Sequence, residues 1–210
     1  MNKNKFDICI VGAGIIGLSV AYKLSQYYKN IIVVEKESSF GQHISSRNSE
    51  VIHSGFYYPT HSLKAMLSVK GNRMLYDFAE KYSINYKKCG KLIVANNSKE
   101  VNYLTDIKTN AISNNVYCEL VSSDESKKIE PKVKTLQSLW VPSTGIIDTH
   151  ALMSKLEFLS KKNNVSFLYN HAVNNIELGC NYNVKVNDDY LEADVVINCA
   201  GLWAHKVSEM

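Results

Sequence analysis

Residues 8–24, ICIVGAGIIGLSVAYKL, followed by IIVVE at 31–35, decide the fold. Ile8 to Val11 is a short apolar run of the kind that forms a strand buried on both faces of a parallel sheet. Gly12-Ala13-Gly14-Ile15-Ile16-Gly17 follows at once, and apolar residues then keep helical spacing from Ile15 through Leu18, Ala21, Tyr22 and Leu24. A second apolar run, Ile31 to Val34, ends at Glu35. Strand, G-x-G-x-x-G, helix, strand and acid within about thirty residues make a dinucleotide-binding unit.

Each part has a physical task. Gly12 permits the tight turn, Gly14 lets a pyrophosphate approach the backbone, and Gly17 lets helix and strand pack closely. Ile15 opens the helix, whose first N–H groups and positive dipole end face the phosphates. Glu35 is placed to accept hydrogen bonds from the hydroxyls of an adenosine ribose, and its charge repels the 2′-phosphate of NADP. The motif alone leaves FAD and NAD open.

Working outward, Gln42 to Lys64 is polar, carries Ser, Gly and Pro, and includes a run of aromatic residues, so it reads as a functional loop with a short helix. From Arg47 it contains R-N-S-x-V-I-H-x-G-x-Y-Y-P. Taken singly, Arg47 reads equally as a surface ion pair, His53 as a half-buried side chain, and Tyr57 and Tyr58 as packing. With Gly12-Ala13-Gly14 and Glu35, the phrase closely resembles the L-2-hydroxyglutarate oxidase/dehydrogenase family, part of the larger D-amino-acid-oxidase-like group of FAD enzymes. The resemblance implies that Arg47, Asn48 and Ser49 line the pyrophosphate and flavin. It puts His53 and Gly55 at the isoalloxazine, and Tyr57 and Tyr58 near the substrate.

Two further stretches agree. Val141 to Asp148 is similar to the family's P-x-T-G-I-[IV]-D turn before a helix near Thr149, which Asp148 or Thr149 would cap. Asp194 to Trp203 resembles the strand returning to the cofactor domain, with Ala200 and Gly201 close to the flavin. Ala172 and Val173 match the extended segment whose backbone meets the adenine.

The resemblance implies an α/β fold: a Rossmann-like FAD-binding domain, its parallel sheet flanked by helices, plus part of an inserted α+β substrate domain. The expected boundaries are 1–88 for the first cofactor portion, 89–164 for the substrate portion and 165–210 for the return. Only nine residues follow Gly201, so the expectation is a truncated chain covering the family's amino-terminal half. A separately encoded carboxyl-terminal half is then a candidate partner. The implied chemistry is loss of a hydride from the substrate Cα to flavin N5, with a base taking the hydroxyl proton and L-2-hydroxyglutarate becoming 2-oxoglutarate. His53 is the visible candidate for that base. An amine- or amino-acid-oxidising relative, and a non-catalytic FAD-binding remnant, are the alternatives.

Composition sets the bounds. The chain has 210 residues, 45% hydrophobic and 21% charged, with only 3 Pro, which excludes disordered and collagen-like classes. A formal charge of +4, spread along the chain, gives little footprint for nucleic acid. Five cysteines without a C-x-x-C pair read as reduced core thiols, with no metal site. No apolar run reaches spanning length, and the reading is cytoplasmic, with peripheral contact at the inner face of a membrane left open.

The remainder reads as scaffold. From Leu63, the positions Met66, Leu67, Gly71, Met74, Leu75, Phe78, Ala79 and Tyr82 keep helical spacing and are expected to face the core. Strands are expected at 92–95, 117–121, 136–141, 165–169 and 182–186. A helix is expected at 99–113, and Ser123 is expected to cap a shorter one that stops before Pro131.

Overall fold

The computed structural model describes residues 5–210. Strand β1 (Lys5–Val11), helix α1 (Ile15–Leu24) and strand β2 (Ile31–Val34) follow in order, then a 3-10 turn at Ile44–Ser46. Next come β3 (Val51–Ile52), α2 (Leu63–Lys81), β4 (Tyr86–Lys87), β5 (Lys91–Ala95), α3 (Ser98–Ser113), β6 (Glu119–Ser122), α4 (Ser123–Ile129), β7 (Gln137–Val141) and β8 (Gly145–Ile147). The chain ends with α5 (Thr149–Lys162), β9 (Ser166–Leu168), β10 (Val173–Leu178), β11 (Tyr182–Val186), β12 (Asp189–Asn198), a 3-10 turn at Gly201–Trp203 and α6 (Ala204–Ser208).

Two compact units result. One runs to Asn48 and resumes over Thr149–Met210; the other is Ser49–Asp148. The division lies well before the expected boundary at 88 and ahead of the one at 164, and side-chain contacts explain both differences. Helix α2 is tied into the Ser49–Asp148 unit, with Asn72 Nδ2 donating to His53 O and Ser143 O, while α5 packs on α1 within the first unit, where Asn163 Nδ2 donates to Ser25 Oγ.

In the first unit a six-stranded sheet runs in the order β10-β11-β12-β1-β2-β9. β12, β1, β2 and β9 are parallel, with Ile8 opposite both Ile31 and Val195; β10 and β11 extend the sheet as an antiparallel ribbon. Ile8, Cys9, Ile10, Ile31 and Val33 are all buried, as the two-faced apolar runs require. The parallel arrangement puts the carboxyl ends of β12, β1 and β2 side by side. From β1 the chain crosses to β2 on one side, while β12 returns on the other, so β1 and β12 flank a switch point of the kind that opens a ligand crevice.

The second unit has two small antiparallel sheets, β3-β8-β4 and β5-β7-β6. Leu104, Ile107 and Ala111 of α3 bury against Ala95, Leu139 and Val141, together with Phe56 from the loop after β3. Helix α2 departs from expectation. Met66, Leu67 and Met74 are 56%, 62% and 59% exposed, and the buried face is Ala65, Asn72, Tyr76 and Ala79. Small side chains let this helix come close to neighbouring backbone, and the Asn72 amide and the Tyr76 hydroxyl, which donates to Ser143 O at 3.1 Å, anchor it there. Hydrogen bonding to backbone, which a hydropathy pattern does not report, has chosen the buried face.

Smaller differences also have causes. Ser122, not Ser123, caps α4: its Oγ accepts from Glu125 N while Glu125 Oε2 accepts from Ser122 N, a complete capping box. Strand β6 is Glu119–Ser122, later than expected, and its last residue is the cap of α4. Cys9 and Cys118 are buried thiols, but Cys89 and Cys180 are exposed, so the five are not uniformly core. Among the described residues, no helix is long and apolar enough to cross a membrane.

Candidate functional site

The glycine loop closes the gap between β1 and α1 under tight steric limits. Gly12 has φ +105°, and a Cβ there would stand 2.6 Å from Cys199 O. A Cβ on Gly17 would strike Gly12 O, so this glycine allows α1 to cross directly over the turn. Gly14 differs. Its backbone is extended (φ −74°, ψ 178°), and a Cβ would meet only the Ser45 hydroxyl, at 3.1 Å. A side chain at position 14 would meet no backbone and would need only the Ser45 hydroxyl to give by a few tenths of an ångström.

Gly14 is the N-cap of α1 and offers no side chain to the first helical amides. Ser45 supplies one acceptor, with Ile15 N donating to its Oγ at 3.0 Å. The Ser45 hydroxyl proton remains available to an anion at the same helix end.

Glu35 is buried at 8% exposure and holds the loop from the other side. Its Oε2 accepts from Ala13 N at 2.7 Å and its Oε1 from Glu37 N at 3.0 Å. Each carboxylate oxygen has a second acceptor position, so the acid can bind sugar hydroxyls while bracing the turn.

These groups share one cleft of about 320 Å³ within the first unit. Gly12, Gly14, Ile15, Glu35, Val173, Ala200 and Gly201 all line it; Gly17 lies behind, packed against Gly12. Cys199 also lines it, its thiol pushed up by burial. The cleft fits a dinucleotide on its own geometry: a glycine with room beside it, a helix start with free donors, and a buried acid at the end of β2.

Arg47 and Asn48 are exposed and do not line the cleft; Asn48 Nδ2 donates back to Ser45 O at 2.9 Å and Ile44 O at 3.3 Å. Ser49, His53, Tyr57 and Tyr58 belong to the second unit. His53 is held below the ordinary imidazole value, first by partial burial and then by the charges of Lys91 and Lys64. Tyr57 is exposed, its hydroxyl 3.2 Å from that of Tyr103. Tyr58 lies under Lys64 Nζ, 4.3 Å from the ring centroid. Gly55 has φ +84°, and a Cβ would stand 2.8 Å from Val69.

Two asparagines that sequence reasoning missed hold this loop. Asn110 Nδ2 donates to Phe56 O and Tyr58 O at 2.8 and 2.9 Å, and Asn114 Nδ2 to Gly55 O and Tyr58 O at 3.3 and 2.8 Å. Asn110 is on the last turn of α3 and Asn114 caps its carboxyl end, both more than fifty residues from their partners, where no local pattern marks them. Ser45, Lys36, His43 and Trp203 are likewise cleft residues that the motif does not contain.

Comparison with known proteins agrees with this geometry. The chain is 35% identical to the mitochondrial L-2-hydroxyglutarate dehydrogenase of Arabidopsis thaliana over 196 residues, 90% of this chain and 41% of the plant protein. It is 34% identical to the L-2-hydroxyglutarate dehydrogenase of Escherichia coli K12 over 213 residues, 98% of this chain and 50% of that one. The chain thus spans about half the length of the curated relatives it matches. Among solved structures, dithionite-reduced L-alpha-glycerophosphate oxidase from Mycoplasma pneumoniae with FAD bound superposes with a TM-score of 0.89 at 29% identity, covering 97% of this chain and 57% of its own. Residues 7–210 match the DAO family, described as FAD dependent oxidoreductase. By the extent of that match, the chain belongs to the FAD dependent oxidoreductase family.

Proposed function

We propose that this chain is the cofactor-binding portion of an FAD-dependent enzyme that oxidises a 2-hydroxy acid, L-2-hydroxyglutarate, to the 2-oxo acid. The observation that carries this reading is the resemblance, over nine-tenths or more of the chain, to proteins named as dehydrogenases of that substrate. The glycerophosphate oxidase also acts on a compound bearing a hydroxyl group, which favours an alcohol over an amine as the oxidised group.

The residues divide the work as follows. The amides from Gly12 to Gly17, with Ile15 opening the helix and Ser45 beside it, hold the pyrophosphate. Glu35 takes the ribose hydroxyls and the Val173 backbone meets the adenine. Ala200 and Gly201, lacking bulk, pass beside the cofactor, and Arg47, Asn48 and Ser49 are the candidates for its flavin side. FAD, when bound, supplies the hydride acceptor. His53 holds the proton released from the substrate hydroxyl on a ring nitrogen, and partial burial, followed by the charges of Lys91 and Lys64, favours the neutral imidazole that accepts it. Tyr57 and Tyr58 contact the substrate.

Titrating the purified chain with FAD is expected to give saturable binding; a chain that retains no flavin once free FAD is removed and shows no saturable signal sinks the cofactor assignment. In a protein of the relatives' full length, L-2-hydroxyglutarate is expected to bleach the flavin anaerobically. Faster bleaching by glycine or glycerol 3-phosphate would overturn the substrate assignment.

A further inference from the structure

Within the second unit, the loop that carries His53 is surrounded by cationic groups that its motif does not contain. Thr144 brings one of them in. The Ser54 hydroxyl lies 2.9 Å from Thr144 Oγ1, and Gly90 N donates to Thr144 O at 2.8 Å. One threonine thus holds the chain neighbours of His53 and of Lys91. The sheet register agrees: Lys91 pairs with Val141, cross-strand partners share a face, and Val141 is buried in one cluster with Phe56 of the loop. From the other side, Ser62 caps α2, and Lys64, in the first turn, sets its Nζ 4.3 Å from the centroid of the Tyr58 ring.

Two ammonium groups therefore stand about one imidazole, and both charges act on it. Neither is neutralised by the protein. Among the described residues, no ion pair involves Lys64 or Lys91. The Tyr58 ring orients the Lys64 ammonium but leaves its charge in place. Lys91 is half-buried, where an unbalanced charge loses part of its hydration. Each ammonium offers three donors and no acceptor. A ligand that brings two carboxylates meets both needs at once, since charge-assisted hydrogen bonds are the strong ones.

We propose that Lys64 and Lys91 are the cationic pair that selects a dicarboxylate at this loop, together balancing the two carboxylates of the 2-hydroxy acid whose hydroxyl faces His53. The proposal rests on the reading that this loop serves a 2-hydroxy-acid oxidation, and it adds which such acids are taken: dianions over monoanions. A monoanion leaves one ammonium unbalanced, and specificity is the difference between the two affinities.

Glutarate and pentanoate share a chain length and differ by one carboxylate, and neither needs flavin to bind. Each is titrated into the chain at constant ionic strength and followed by the His53 ring resonances in NMR, assigned by their loss in His53→Gln. Glutarate is expected to bind saturably, and pentanoate about tenfold more weakly or worse. Lys64→Met and Lys91→Met are each expected to weaken glutarate by about tenfold, whereas Lys91→Arg, which keeps the charge, is expected to stay within about threefold of wild type. The comparison of the two acids in wild type stands even if a variant fails to fold. Equal affinities for glutarate and pentanoate, no response to glutarate, or unchanged glutarate affinity in either folded methionine variant overturns the proposal. Faster flavin bleaching by glycine or glycerol 3-phosphate in a full-length protein overturns the 2-hydroxy-acid reading instead; the lysines' preference for a dianion is read without flavin and stands or falls by itself.

Discussion

At the scale of single residues, the three motif glycines are not equivalent. Gly17 faces the backbone of the turn, so Gly17→Ala is expected to cost about 3 kcal/mol or more in stability, measured by denaturant unfolding. Gly14 faces only Ser45 Oγ. Gly14→Val is therefore expected to cost less stability than Gly17→Ala and yet lose FAD retention; retained flavin would remove the pyrophosphate from that place. Glu35 binds Ala13 N and Glu37 N as well as any sugar, so its loss mixes two effects. Glu35→Gln is expected to weaken FAD by about 1–3 kcal/mol and also to lower stability, and thermal melts without FAD resolve the second part. His53 is shifted downward, so its neutral form persists to lower pH than an ordinary imidazole with a pKa of about 6.5. The acid limb of flavin reduction in a full-length protein is expected to be centred below that value. A limb centred above it would exclude His53 as the base.

At the scale of elements, α1 and the strands beside it were legible because their signals are local. The run Ile8–Val11, the glycines and Ile31–Val34 each satisfy a short-range rule, and β1, α1 and β2 follow. α2 was legible as a helix but not as to which side is buried. Its apolar stripe predicts a Leu/Met core face, whereas Asn72 and Tyr76 seek distant carbonyls and turn the helix so that Met66, Leu67 and Met74 face outward. Asn114 shows the same control over α3 and the 55–58 loop. Asn114→Ala leaves the carbonyls of Gly55 and Tyr58 without this donor at a buried site. The expected cost is about 1–3 kcal/mol, read by chemical denaturation, with Tyr57 fluorescence or exchange near residue 58 reporting loosening of the loop.

At the scale of the whole molecule, the cleft lies within the first compact unit. Ligand binding to the native state adds stability to the part that binds it, about 2.7 kcal/mol at a hundredfold excess over Kd. With saturating FAD, hydrogen exchange is expected to slow in the turn after β1, at the end of β2 and over residues 198–203. The β5-β7-β6 sheet is expected to exchange as before. Protection confined to that second sheet would place the cofactor elsewhere.

By itself, the sequence determined the parallel cofactor sheet, the glycine turn and the acid that ends β2, because strand burial, backbone clearance and helix-end charge are set within a few residues of one another. Only the tertiary structure decided that Ser45 meets the start of α1, that Lys36 and His43 both reach the Trp203 ring, and that the chain divides at residues 48 and 148 instead of 88 and 164. Those outcomes depend on hydrogen bonds and ring contacts between positions far apart in the chain, which no local periodicity encodes.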